Sequence, residues 1–236
     1  MSGLDDSSFI SKLIIYLNRQ EGKLYGTILE CKPEPMMNNI IKLSENNLTS
    51  TAKTASWIIK SGGIIIAPFD TVYGFACYPG NDQTIEKIFT LKGRDLKKTI
   101  GTALSDIEML NSFAIANEFN IKFIKERTPG KFTFIMKAKN FVLSKYCYQD
   151  ETIGVRIPDS DLILQIAQES GGVIAQTSAN KAGEHNCFSL DDLKAQFSED
   201  ELSQIDLIID GGTIESGEAS EIWDLTGKKP VKAKRK

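Results

Sequence analysis

Lys92 and Arg94 flank Gly93 at the end of a segment with helical spacing, and glycine lets a chain unwind there, so both side chains can reach one anion. Polar groups of fitting type close two apolar runs elsewhere. Ile64-Ile65-Ile66-Ala67 passes into Pro68-Phe69-Asp70-Thr71-Val72-Tyr73-Gly74, and Gly172-Val173-Ile174-Ala175 leads to Thr177-Ser178-Ala179-Asn180. Ligands of open α/β sheets bind at strand carboxyl ends, so two such ends imply one site for an anionic small molecule. A third cation, Arg156, lies in Ile153-Gly154-Val155-Arg156-Ile157, where period-two alternation puts it on the same face as Gly154. A guanidinium over backbone bared by glycine makes a carboxylate or phosphate clamp.

Each feature also has a plainer reading. Cations at a helix end are favoured by the macrodipole without any ligand. An arginine in an apolar strand is equally satisfied by an internal salt bridge. Serine and asparagine are common turn formers. His185 is the only histidine, which excludes multi-histidine metal sites and leaves no Ser-His-Asp triad to build on. Cys31, Cys77, Cys147 and Cys187 form no C-x-x-C pair, so zinc is not expected and the thiols read as reduced and buried. The G-x-x-x-x-G-K-S/T loop and a G-x-G-x-x-G after the first strand are both missing, so any nucleotide is held in another way.

The net charge of −3 over 236 residues argues against a surface built wholly for nucleic acid. The tail Lys228–Lys236 reads as a solvated end or as a local phosphate or RNA contact. The acidic start, Met1–Asp6, lacks the pattern of a secretory or organellar leader, and no apolar run has the length to span a bilayer. A cytoplasmic location is the expectation.

The elements that must position these groups can be read along the chain. Phe9, Ile10, Leu13, Ile14 and Leu17 predict a helix over residues 7–19, and residues 24–31 predict a strand. Pro33 and Pro35 then break the pattern, so residues 1–39 are expected to form an N-terminal appendage to a domain of residues 40–236. Within that domain, strands are expected at residues 40–43, 64–67, 99–104, 132–136, 152–157, 172–175, 205–209 and 221–225. Helices are expected at 47–60, 84–91, 106–116, 121–126, 162–169 and 190–197. Gly62-Gly63 marks the left-handed close of the first of these helices. Interleaved helices and strands predict an α/β fold with a twisted, largely buried sheet.

Taken in order, the motifs resemble the YrdC-like family from about Ile40 almost to the end of the chain. The matching runs are G-G-x-x-x-x-P-x-D-T-x-Y-G at Gly62–Gly74, K-x-R at Lys92 and Arg94, and P-G-x-x-T at Pro129–Thr133. V-x-R-x-P at Val155–Pro158, S-A-N-x-x-G at Ser178–Gly183, and Asp210–Gly212 followed by Ser220-Glu221-Ile222 complete the set. The resemblance implies an open mixed sheet flanked by helices. It also implies a threonylcarbamoyl-AMP synthase, in which L-threonine and bicarbonate form a carbamate that attacks the α-phosphate of ATP and releases pyrophosphate.

Magnesium is expected with the ATP, and tRNA with a separate threonylcarbamoyl transferase complex as partners of the pathway. By the same resemblance Lys92 and Arg94 are catalytic, with Lys98 beside them on the nucleotide. Asp70, Thr71, Tyr73, Arg156 and Ser220 bind the amino acid substrate. Ser178, Asn180, Asn186 and, at the tail, Lys234 or Arg235 contact the nucleotide. Phe69 stands where the family motif has threonine, Thr99 where it has proline, and Thr128 where synthases have tryptophan. Those departures keep two alternatives open, an RNA-binding module and a paralogue acting on a related carbamoyl-adenylate.

Overall fold

The structure, a computed structural model, describes residues 15–20, 23–28, 40–215 and 220–233. The chain divides into two compact units, residues 1–38 and 39–236. In the first unit, β1 (Ile15–Gln20) pairs antiparallel with β2 (Lys23–Ile28), Ile15 opposite Ile28 and Gln20 opposite Lys23. The helix expected over residues 7–19 is therefore a strand from Ile15 on. Ile14, Ile15 and Leu17 satisfy a helical stripe, yet the β-branched and aromatic run Ile14-Ile15-Tyr16 suits a strand as well, and the pairing partner decides.

The second unit holds the remaining strands: β3 (Ile40–Lys42), β4 (Ile64–Pro68), β5 (Tyr73–Cys77), β6 (Gly101–Leu104), β7 (Phe132–Lys137), β8 (Tyr148–Gln149), β9 (Thr152–Arg156), β10 (Val173–Ser178), β11 (Leu207–Asp210), β12 (Glu221–Asp224) and β13 (Val231–Ala233). They form one mixed sheet in the order β13-β12-β7-β9-β6-β10-β5-β4-β11-β3, with β8 on β9. β10 lies antiparallel to both its neighbours, while β6–β9, β7–β12, β4–β11 and β11–β3 are parallel.

Residues opposite one another in adjacent strands share a face, so the register sorts the sheet into two sides. On one side lie Phe134, Val155, Thr102, Ala175, Cys77 and Ile64. On the other lie Arg156, Ala103, Ile174, Ala76 and Ile65.

The helices α1 (Leu48–Lys60), α2 (Asp82–Lys92), α3 (Leu110–Phe113), α4 (Glu118–Lys125), α5 (Asp161–Glu169), α6 (Leu190–Gln196) and α7 (Glu199–Leu202) flank this sheet. On the first side Ile85, Ile88 and Phe89 of α2 and Leu193 of α6 join Phe75, Cys77 and Ile64 in a buried cluster. Ala52, Ala55 and Ile59 of α1 and Ile163, Ile166 and Ala167 of α5 cover Ile65, Ala76, Ala103 and Ile174 on the second. Because β4 is packed on both faces, its run of four apolar residues needs no alternation. Each fully buried isoleucine there contributes on the order of 1.5–3 kcal/mol.

Helix α3 is much shorter than the expected 106–116. The Asp106 carboxylate accepts from Met109 N–H at 2.9 Å, and Ala114 is already extended and bridges to Ala138.

Candidate active site

The position of Lys92 and Arg94 follows from how α2 ends. Asn81 caps its first turn through Oδ1, accepting from Thr84 N–H at 3.1 Å. Gly93, at φ +63°, closes the last, with Gly93 N–H donating to Thr90 O at 3.0 Å and Arg94 N–H to Phe89 O at 2.8 Å. That pair of bonds is a Schellman motif, which needs the left-handed residue. It reverses the chain so that both cations are carried to the end of β10.

Lys92 is 3 % exposed. Its ammonium donates to Asn180 O at 2.6 Å, to Asn180 Oδ1 at 3.3 Å and to Ser178 O. The Ser178 hydroxyl donates to the same Asn180 Oδ1 at 2.6 Å, and Asn180 Nδ2 donates to Lys181 O and Glu184 O, both at 2.9 Å. Arg94 donates from Nη1 to Thr177 Oγ1 at 3.0 Å and from Nη2 to Thr99 O at 2.6 Å, while its buried Nε–H has no partner.

Among the described residues neither cation is paired with a carboxylate. Burial first, and the Arg94 charge second, bring the Lys92 ammonium down to about 7; burial also lowers Arg94. A buried ammonium and a half-buried guanidinium with backbone and hydroxyl partners but no carboxylate among the described residues leave positive charge that an anion can offset.

A second cluster lies on the face covered by α1 and α5. Arg156 forms a buried ion pair with Asp70, whose other oxygen accepts from Asp159 N–H at 3.0 Å. Of the two readings open for Arg156, the structure shows the internal salt bridge, with Asp70 as its partner. Its guanidinium lies 5.9 Å from the centre of the Phe69 ring. That ring packs on the bare backbone of Gly74, where an added Cβ would meet Phe69 Cε2 at 2.8 Å and Thr177 O at 3.2 Å. Gly74 in turn stands opposite Ser178, so Phe69 links the Arg156 cluster to the end of β10. A third pair, Thr133 and Ser220, joins hydroxyls at 3.0 Å across β7 and the start of β12.

The other candidates make other contacts. The Tyr73 hydroxyl meets the loop after β11: it donates to Gly212 O at 2.8 Å and accepts from Gly211 N–H at 3.0 Å, and burial pushes it up to about 12. Its role in the structure is to fix the loop after β11. Thr71 is buried in the turn between β4 and β5. Lys98 is exposed on a turn closed by Lys98 N–H to Asp95 O at 3.0 Å, and Asn186 is half-buried on the loop beyond Asn180. Lys234 and Arg235 lie outside the described residues.

Sequence reasoning missed Gln176. It shares a face with Ser178, two residues on, and with Gly101 opposite it on β6. The signal was a lone carboxamide directly after the apolar run Val173–Ala175.

A family model for Sua5, YciO and YrdC proteins, described as telomere recombination, matches residues 57–236. The chain belongs to this family. It is 29 % identical over 189 residues to an uncharacterized protein of Haemophilus influenzae, covering 79 % of this chain and 89 % of that one. The crystal structure of P. abyssi Sua5 complexed with L-threonine is similar at a TM-score of 0.74 and 27 % identity over 82 % of this chain. The chain spans 56 % of the length of that Sua5. E. coli YciO is similar in fold at a TM-score of 0.70 and 23 % identity, over 82 % of this chain and 92 % of YciO.

Among the described residues no helix is long and apolar enough to cross a membrane, and no group of three or more His, Cys, Asp or Glu could hold a metal ion.

Proposed function

We propose that this protein is a threonylcarbamoyl-AMP synthase, joining L-threonine, bicarbonate and ATP into threonylcarbamoyl-AMP and pyrophosphate for the modification of tRNA. The observation that carries the reading is the pair of cations, buried Lys92 and half-buried Arg94, without a carboxylate partner among the described residues. Family membership supports it, as does the threonine held by a Sua5 with 27 % identity.

The reaction brings an anionic carbamate to an anionic triphosphate. A carbamate oxygen attacks the α-phosphorus, its P–O bond forms as the bond to the bridging oxygen breaks, and pyrophosphate carries away the electron pair. Little covalent work falls to the protein; positioning and charge stabilisation dominate. Arg94, with its unpartnered Nε–H, stabilises the phosphoryl oxygens, and Lys92 fixes the Ser178–Asn180 turn while adding charge beside it. Ser178 and Asn180 hold the nucleotide. Arg156, aimed by Asp70, takes the threonine carboxylate, and the Thr133–Ser220 hydroxyls face the same substrate. Magnesium arrives on the triphosphate.

A second reading, a paralogue that handles a related carbamoyl-adenylate, is favoured by one observation. The Phe69 ring fills the space above Gly74 where the family motif has a smaller hydroxyl residue.

Pyrophosphate release from purified protein decides between them. The synthase requires release that depends on both L-threonine and bicarbonate, and a fall of about a hundredfold or more in Arg94→Ala, of the size seen when a donor to developing charge is removed. Release indifferent to threonine overturns the synthase reading.

A further inference from the structure

The face of the sheet covered by α1 and α5 is not covered everywhere. Gly101, Gln176, Ser178, Gly154 and Thr133 belong to this face and are half-exposed, forming an open floor beside the end of β10. Gly154 leaves it bare: an added Cβ would meet nothing closer than Thr133 Cγ2 at 4.0 Å. Gln176 lies flat across the next strand, its Nε2 placed 2.9 Å from where a Cβ on Gly101 would stand. Among the described residues no hydrogen bond forms to either end of this carboxamide, although neighbouring polar side chains, Ser178, Asn180 and Thr133, are all engaged.

We propose that Gln176 is a specificity-determining residue that reads an N-carboxylated amino acid, the carbamate form of the substrate. This assignment rests on the synthase reading for the identity of the amino acid. A carboxamide offers a donor and an acceptor side by side. A carbamate, R–NH–COO⁻, always presents one carboxylate oxygen on the same side as its N–H, whichever way the C–N bond is turned. The two groups close a ring of two hydrogen bonds: Gln176 Nε2–H donates to the carbamate oxygen and Gln176 Oε1 accepts from the carbamate N–H. In free threonine the ammonium donor and the carboxylate acceptor are separated by two carbons rather than one and do not match this edge, while bicarbonate, HO–COO⁻, presents a similar edge through its O–H but carries no amino acid for Arg156 to hold. Only the product of their union joins the two features, so Gln176 and Arg156 together select it. It sits two residues before Ser178, on the strand whose end Lys92 and Arg94 reach, so the carbamate is held next to the anion site.

Titration calorimetry with L-threonine, in the presence and absence of bicarbonate, tests this in the wild type, Gln176→Leu and Gln176→Glu, with ATP titrated separately. Bicarbonate is expected to tighten threonine binding to the wild type. Loss of hydrogen bonds to a charged group makes Gln176→Leu forfeit that gain by roughly tenfold or more. Gln176→Glu forfeits it further, because its carboxylate repels the carbamate. ATP affinity and melting temperature stay unchanged in both variants.

Bicarbonate linkage that survives in Gln176→Leu overturns the assignment. So does a loss confined to ATP binding, which would make the side chain a reader of the adenine edge. A wild type that binds threonine in a bicarbonate-linked, Gln176-dependent way yet releases no pyrophosphate keeps this assignment and removes the synthase.

Discussion

Lys92 is the residue where charge state and ligand are most tightly coupled. Held at about 7 by burial and by Arg94, its ammonium is largely neutral at pH 8 in the free protein. A phosphate brought beside it favours the charged form and raises that value. ATP binding at pH 8 is therefore expected to take up close to one proton, and little at pH 6, where Lys92 is already charged. Calorimetry in buffers of different ionisation enthalpy measures this, and equal heats across buffers for the wild type would refute it. Lys92→Met should show no uptake.

The same shift fixes a stability trend. The unfolded chain binds more protons than the folded one between about pH 7 and the ordinary lysine range, so the contribution of Lys92 to stability grows as pH rises through that window. Arg156 differs because its counter-charge, Asp70, is built in. Residue types were legible at this scale, but which of the two arginines, Arg94 or Arg156, owns a carboxylate depends on a contact between positions 70 and 156, which no local pattern encodes.

Two glycines of the sheet, on β5 and β9, make opposite predictions for the elements. Gly74→Ala places a methyl 2.8 Å from the Phe69 ring and 3.2 Å from a backbone oxygen, so β5 or the turn before it must shift. Overpacking of this kind costs on the order of 1–3 kcal/mol, which thermal or denaturant unfolding detects. Gly154→Ala meets only Thr133 Cγ2 at 4.0 Å and should leave the melting temperature unchanged while lowering activity, since the methyl stands where a ligand would lie. Full activity in Gly154→Ala would show that the floor above β9 is not used.

Elements buried on both faces were the easiest to read. Ile64–Ala67 and Val173–Ala175 are continuous apolar runs, and α2 announces its end through Gly93. The misreadings fall where local preference is divided. Ile14-Ile15-Tyr16-Leu17 fits a helical stripe and a strand alike, and the segment after Asp106 is capped into a turn before it can propagate. Gln176 escaped notice because it stands between an apolar run and the Thr177-Ser178 strand end, and only Gly101 opposite it and Gly154 on the next strand show how open that floor is.

In the second unit, the buried members of the three apolar clusters among the described residues run from residue 52 to residue 225, so the core draws on nearly the whole length of that unit.

The order of the strands carries a further consequence. β11, at residues 207–210, is wedged between β3 at 40–42 and β4 at 64–68, and β12 at 221–224 pairs with β7 at 132–137. Partners so distant along the chain must close long loops before they gain any contact, which slows folding and leaves early strands with open edges. During translation, β4 can pair with β5, but its other edge and β3 wait beside a gap until residue 210 has left the ribosome, and the Thr133–Ser220 hydroxyl pair waits longer still. Nascent chains of this protein should therefore depend on chaperones that shield strand edges, and a ribosome stalled before residue 207 should display a protease-sensitive, ligand-blind intermediate.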